Sequence, residues 1–177
     1  KRYDDAYSCL YKLPLRSIIS INIDNLVEKI FEEQDSPKDL SDVQINGDLA
    51  KDNIVPLYKL HGSVTYPFDT ELTFTEEELH SLFVKDNRLF QTVSYKISCC
   101  PTLFWGTSLS DGNTAQLLCD ARFKAKVNMP KWIVLYPNDK KYDLLCEEFE
   151  DRGFYVIGAD TKDLLNYLSS MPFVAAK

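Results

Sequence analysis

Five short apolar runs, separated by polar turns and helical patterns, constrain the fold of this chain more than any other feature. Each run is rich in β-branched or aromatic residues and has the length of a buried strand. Strands that alternate with helices predict βαβ units, in which right-handed crossovers place helices on both faces of a parallel sheet. The predicted fold class is therefore α/β. The predicted strands cover residues 17–21, 55–60, 102–105, 132–136 and 154–157.

Helical patterns occupy much of the sequence between these strands. Thr75 and Glu78 form a T-x-x-E capping box at the start of one predicted helix. Gly153 is placed to end another helix, and Thr161 is the predicted N-cap of the last one. Besides the helix that begins at Thr75, the predicted helices cover residues 24–33, 88–97, 114–123, 139–151 and 161–168.

The length of 177 residues fits one domain, so we expect a single domain over residues 1–177. Residues 35–53 are polar and contain Pro, Gly and Asn, which predicts a loop or a polar insertion. The segment 64–98 is expected to be a helical insertion, and its aromatic residues either pack onto the sheet or form a subunit contact.

Charge and composition exclude several classes of protein. The net charge is −7 and no Lys/Arg run exceeds two residues, so a nucleic-acid backbone is not the expected partner. No apolar run approaches the ~20 residues that span a membrane. Five irregularly spaced cysteines without a C-x-x-C pair predict a reduced, cytoplasmic protein without structural zinc. The six glycines form neither G-x-G-x-x-G nor a P-loop.

Ligands of parallel sheets bind beyond the carboxyl ends of the strands, which directs attention to the residues that follow each predicted strand. Asn22 and Asp24 follow the first strand, where they are either helix caps or site residues. His61 follows the second strand and is either a general base or a structural histidine. His80 lies among glutamates and is expected to be a solvated surface residue.

A hydroxyl-rich turn follows the third strand at residues 106–112. Hydroxyl groups and amides that precede a helix suit a phosphate or a ribose, although an ordinary capped turn has the same composition. Asn138 follows the fourth strand and Gly158 the fifth.

Three of these strand ends together resemble the ordered motifs of the sirtuin family. The motifs are N-I-D at 22–24, H-G at 61–62 and G-T-S-L at 106–109. The extended run G-T-S-L-S-D at 106–111 is more similar to the divergent sirtuin-like NAD-hydrolase domains of prokaryotic antiphage defence. The resemblance covers roughly residues 15–170 and implies a Rossmann-like domain that takes NAD as its substrate.

The resemblance also implies roles for individual residues. His61 resembles the sirtuin histidine that acts as a base toward a ribose hydroxyl. Asn22 resembles the asparagine that positions water beside the nicotinamide ribose, and Asp24 resembles the aspartate that helps to hold the nicotinamide end. The residues expected to bind NAD are Gly62, Gly106, Thr107, Ser108, Asp111 and Asn138, among which Thr107 and Ser108 resemble the pair that contacts ribose and phosphate.

Departures from the sirtuin pattern favour one reaction over another. The glycine-rich strand–loop–helix that opens sirtuins is missing, so the domain is expected to be incomplete at its N-terminus and to bind NAD weakly or not at all by itself. No cysteines of a zinc module stand between His61 and Gly106, and Ser110 replaces the start of the usual V-x-P. Residue 21 is Ile where sirtuins often have Gln. These gaps disfavour protein deacylation and favour cleavage of NAD by water.

Three functions therefore remain open at the level of sequence. The first is an NAD+ glycohydrolase that belongs to an antiphage effector and assembles with a protein partner or with itself. The second is a truncated, non-catalytic interaction module, which the missing glycine-rich part favours. The third, a protein deacylase, is disfavoured by the missing zinc cysteines.

Overall fold

The computed structural model describes residues 3–33, 39–42, 54–65, 72–75, 77–78, 80–81, 87–107, 109 and 129–171. Within these ranges the chain forms six strands, four α-helices with described bounds and one 3-10 helix over Asp5–Lys12, and residues 77–78 and 80–81 are helical as well. The strands are β1 (Ile18–Ser20), β2 (Asp39–Asp42), β3 (Ile54–Lys59), β4 (Thr102–Phe104), β5 (Lys131–Leu135) and β6 (Tyr155–Gly158). The α-helices are α1 (Leu26–Glu32), α2 (Asn87–Cys99), α3 (Tyr142–Asp151) and α4 (Thr161–Ser170).

The first of two compact units comprises Lys1–Leu79 and Leu165–Lys177. Its sheet has the order β1-β3-β2, and both pairings are parallel. Residues 55–59 of the central strand β3 are buried, because the strand has a neighbour on each side. Ile30 and Phe31 of α1 pack with Val55 to form the core of this unit.

The second unit comprises His80–Leu164 and contains the parallel sheet β4-β5-β6. The Phe154 ring packs edge-on against the rings of Phe104 and Phe149, at centroid distances of 5.4 and 5.5 Å. Gly153 follows Arg152, the C-cap of α3, and has a φ of 80°. The amides of Gly153 and Phe154 donate to the carbonyl oxygens of Glu150 (2.8 Å) and Phe149 (3.0 Å), which is a Schellman motif.

The α/β fold class is confirmed, since every strand pair in the described ranges is parallel and helices lie between the strands in sequence. These strands belong to two three-stranded sheets. The capping box is confirmed as well, because Oγ1 of Thr75 accepts from the Glu78 amide (3.1 Å) and Oε2 of Glu78 accepts from the Thr75 amide (3.0 Å).

Two local predictions were wrong. Residues 35–53 were expected to be a loop or a polar insertion, and the loop prediction was wrong at 39–42, which form β2 and pair in register with β3 from Ile54 to Leu57. Asp160, and not Thr161, caps α4, because Oδ1 of Asp160 accepts from the Lys162 amide (2.7 Å). The predicted helix over 114–123 lies outside the described residues. Among the described helices, none is long and apolar enough to cross a membrane.

Candidate functional site

The turn between β1 and α1 carries Asn22 and Asp24. Ser20 holds this turn locally, because its Oγ accepts from the Asn22 amide (3.1 Å) and donates to the Asn22 carbonyl oxygen (3.3 Å). Oδ1 of Asp24 accepts from the amide of Leu26, the first residue of α1, at 3.0 Å. Asp24 thus accepts from the first amide of α1 although Asn25 is the N-cap residue of that helix, while the Asn22 side chain is exposed to solvent.

The turn after β3 carries His61 and Gly62. Gly62 is buried and has a φ of 81°, in the left-handed region that glycine enters without a steric penalty. Nδ1 of the half-buried His61 lies 3.1 Å from the carbonyl oxygen of Thr73, and the Thr73 amide donates to the His61 carbonyl oxygen at 3.1 Å. A carbonyl oxygen only accepts, so Nδ1 carries the proton and Nε2 is the basic nitrogen of the neutral ring.

These two turns lie side by side in the first unit. Their strands are neighbours in the sheet, and Ser20 at the end of β1 pairs with Lys59 at the end of β3. The Val64 amide donates to the carbonyl oxygen of Ile23 at 2.9 Å, which joins the N-I-D turn to the segment after His61. The structure therefore brings Asn22, Asp24 and the His61 turn to one edge of one sheet.

A buried lysine, which the sequence analysis did not single out, ties the same two turns together. The Lys59 side chain is 1% exposed, and its ammonium donates to the carbonyl oxygens of Ile23 (3.3 Å) and Asp24 and to Oγ of Ser63 (3.2 Å). It also pairs with Oε1 of Glu28 on α1 at 2.9 Å. These five residues are called the Lys59 cluster below. The available sequence signal was a lone charge within the apolar run of β3.

Gly106 and Thr107 follow β4 in the second unit. Gly106 has a φ of 67°, and a Cβ added there would meet no atom within 4 Å. The positive φ, and not a lack of space, therefore explains why glycine occupies this position. Oγ1 of Thr107 accepts from the amide of the buried Leu109 at 3.2 Å. Leu109 itself has a φ of 50°, which non-glycine residues seldom adopt. The strand thus ends in a sharply turned, hydroxyl-bearing segment.

The remaining candidates are Asn138, Ser108 and Asp111. Asn138 is exposed in the turn after β5, where its Nδ2 donates to the hydroxyl of Tyr136 at 3.3 Å. Ser108 and Asp111 lie outside the described residues. The candidates with a described position fall in two groups: Asn22, Asp24, His61 and Gly62 in the first unit, and Gly106, Thr107 and Asn138 in the second.

Metal ligands do not cluster in the described part of the chain. No group of three or more His, Cys, Asp or Glu side chains that could hold a metal ion occurs among those residues. Asn22, Asp24 and His61 offer an amide, a carboxylate and an imidazole group.

Comparisons with known proteins indicate a family and a relative. A family model described as a SIR2-like domain matches residues 16–157, a range that contains both groups of candidates. The chain is also 26% identical over 151 residues to the NAD(+) hydrolase ThsA of Bacillus cereus (strain MSX-D12). That alignment covers 84% of this chain and 31% of the relative, so the chain spans less than a third of the protein it matches.

Proposed function

The chain belongs to the family of SIR2-like domains, and from that premise we propose that it hydrolyses NAD+ to nicotinamide and ADP-ribose. Its similarity to a protein named NAD(+) hydrolase supports this reaction. The observation that carries the proposal is the proximity of the Asn22–Asp24 turn and the His61 turn at the carboxyl edge of adjacent parallel strands. That edge is where ligands of such sheets bind.

The reaction breaks the bond between the nicotinamide nitrogen and C1′ of the ribose. Nicotinamide leaves with the electron pair of this bond, which places positive charge on the ribose ring. The oxygen of a water molecule then bonds to C1′, and its proton passes by way of a ribose hydroxyl to a base. Catalysis therefore requires negative charge near the ring, a positioned water molecule and a base.

The first unit offers one side chain for each requirement. The Asp24 carboxylate stabilises the positive ribose at the nicotinamide end, and the exposed amide of Asn22 positions the water. His61 acts as the base toward a ribose hydroxyl through Nε2, because the Thr73 carbonyl oxygen holds the proton on Nδ1. The Asp24 carboxylate is oriented for this role by its hydrogen bond to the Leu26 amide.

The proposal also assigns residues at several strand ends to NAD binding. Gly62 allows close approach of the dinucleotide beside His61. Thr107 and Ser108 contact ribose and phosphate, Asn138 contacts the adenine-side ribose, and Gly106 and Asp111 complete the set of NAD-binding residues. We assign residues 1–177 to one sirtuin-like domain with insertions at 35–53 and 64–98. The proposed setting is an antiphage effector that assembles with a protein partner or with itself.

Nicotinamide release from NAD+ tests the proposal, with the longest native polypeptide that contains this chain. His61→Ala and Asn22→Ala are expected to lower the release rate at least 100-fold, since each removes a group that acts on the reacting ribose. His80→Ala is the matched control, because His80 is exposed and distant in sequence from the proposed site residues. Release that is unchanged in both site variants would contradict the proposal.

Two parallel assays separate the other functions. Loss of acetyl groups from an acetyl-lysine peptide, dependent on NAD+, would indicate a deacylase. A folded polypeptide whose melting temperature does not rise with NAD+ and which releases no nicotinamide would indicate an interaction module. The proposed hydrolase is expected to release nicotinamide without any acetylated peptide.

A further inference from the structure

We propose that Lys59 is a positioning residue for NAD+ cleavage, which holds the Asn22–Asp24 turn in register with the His61 turn. This inference rests on the function proposed above. Lys59 reaches no proposed substrate atom, since its side chain is 1% exposed. It acts through the groups that the Lys59 cluster connects.

The geometry of the Lys59 cluster joins three segments of the first unit. The ammonium donates to two consecutive carbonyl oxygens in the N-I-D turn, those of Ile23 and Asp24. It also donates to Ser63, two residues after His61, and pairs with Glu28 on α1. Asn22, Asp24 and His61 therefore all lie in segments that Nζ of Lys59 contacts.

The contacts of Lys59 with the carbonyl oxygens of Ile23 and Asp24 fix the position of the turn after β1. The positions of Asn22 and Asp24 relative to His61 depend on how the turn after β1 is held. Two long-range contacts hold the turn at residues 23–24, the Val64 amide at 2.9 Å and the Lys59 ammonium. A displacement of about 1 Å at a catalytic group is enough to reduce a rate about 100-fold.

Stability alone does not account for the Lys59 cluster. An ammonium in the interior is unfavourable unless it is paired and hydrogen-bonded, and a buried ion pair is a weak source of stability even then. Oε2 of Glu28 is buried without a hydrogen-bond partner in the described ranges, so the pair leaves one oxygen unsatisfied. An apolar side chain would fill the same volume without this cost but would remove the ammonium donor from both carbonyl oxygens and leave the Val64 amide as the long-range contact of the turn.

Lys59→Met and a matched control test the proposal in the longest native polypeptide. Methionine keeps the length and volume of the side chain and removes its donors. The control is Lys131→Met, because Lys131 is also a buried strand lysine, at the amino end of β5, where its Nζ donates to the Met129 carbonyl oxygen (3.3 Å). We expect Lys59→Met to lower kcat for nicotinamide release at least tenfold with KM within threefold of wild type, and Lys131→Met to leave both within twofold.

Hydrogen exchange measures the positioning itself, without NAD+. Lys59→Met is expected to speed amide exchange at least tenfold in both turns, residues 22–26 and 61–65, and to leave α2 unchanged. If the wild-type protein releases no nicotinamide, the proposed function fails, and exchange alone then decides whether Lys59 couples the turns. Unchanged exchange in either turn, or a kcat equal to that of Lys131→Met, would overturn the inference.

Two milder variants apply if Lys59→Met does not fold. Ser63→Ala removes one acceptor, and Glu28→Gln removes the charge of another while keeping an oxygen in place. Each is expected to lower kcat threefold or more relative to Lys131→Met with KM unchanged. Wild-type kcat in both variants would overturn the inference.

Discussion

Nδ1 of His61 lies 3.1 Å from the carbonyl oxygen of Thr73, and this contact determines which ring nitrogen carries the proton. The Thr73 amide also donates to the His61 carbonyl oxygen, so two hydrogen bonds join these residues. The imidazole is therefore fixed in one tautomer before any substrate binds.

We predict that neutral His61 is the Nδ1–H tautomer. The physical reason is that the Thr73 carbonyl oxygen accepts a hydrogen bond and cannot donate one. Long-range 1H–15N correlation spectra distinguish protonated from unprotonated ring nitrogens and provide the measurement. His80, which is exposed, serves as the internal control and is expected to show the tautomer mixture of free histidine. An Nε2–H signal at His61 would contradict the assignment of Nε2 as the base.

Gly106→Ala is predicted to lower the free energy of unfolding by about 1 kcal/mol, because an L side chain is strained at positive φ. The space around Gly106 is open, so no steric clash adds to this backbone cost. Gly106→Asn is the matched variant and is expected to cost less, since Asn tolerates the left-handed region. Urea unfolding measures both. Equal stability of the Ala variant and the wild type would show that the turn relaxes out of the left-handed conformation.

Much of this fold was predictable because its strands are short, apolar and placed between helices. Strand β2 was not, since its residues Asp39–Asp42 (DLSD) have neither alternation nor β-branched side chains. Its strand conformation comes from pairing with β3, a tertiary effect that local sequence does not carry. Asp160 and Thr161 are both good N-caps, and sequence alone does not determine which of two adjacent residues starts a helix.

The candidate site was predictable to a similar extent. Asn22, Asp24 and His61 follow strands that were predicted, and parallel strands share an edge at their carboxyl ends. Lys59 and Thr73 were not predicted, because their importance depends on contacts with residues far away in sequence. A lysine is usually solvated, so its burial at the end of β3 becomes visible only once the strand has neighbours on both sides.

The capping box at Thr75 gives a pH-dependent prediction. Hydrogen bonds from the amides of Phe74 and Thr75 lower the pKa of the Glu78 carboxyl. The stabilisation by Glu78 is therefore complete above the pKa of this carboxyl in the unfolded chain and is lost as the pH falls through its lower pKa in the folded chain. We expect wild type and Glu78→Ala to differ in melting temperature at neutral pH and to converge in acid.

A control variant separates this capping effect from general acid destabilisation. Glu77 is exposed one residue earlier, and for Glu77→Ala we expect the difference from wild type to stay small at every pH. A Glu78→Ala difference that persists below the pKa of the folded carboxyl would show that the carboxylate is not its source.

The cysteines are predicted to differ in reactivity. Burial raises the pKa of the Cys9 thiol, which is 3% exposed, and the positive charge of Lys12 opposes this effect. Cys99 is exposed at the end of α2. At neutral pH we expect iodoacetamide to modify Cys99 at least tenfold faster than Cys9, because the thiolate is the reactive form. Peptide mass spectrometry measures both rates, and equal rates in the folded protein would contradict the burial of Cys9.

The parallel pairing of β3 with both β1 and β2 has a consequence for the order of folding. Pairing β3 with β2 closes a loop of roughly 15 residues, whereas pairing it with β1 closes a loop of roughly 40, so loop-closure entropy favours the first by about 0.9 kcal/mol. Strand β2, although it has no apolar pattern, is thus the partner that pairs with β3 at the smaller loss of chain entropy. The edge that carries Asn22 and His61 is completed only when β1, the more distant partner, joins the sheet.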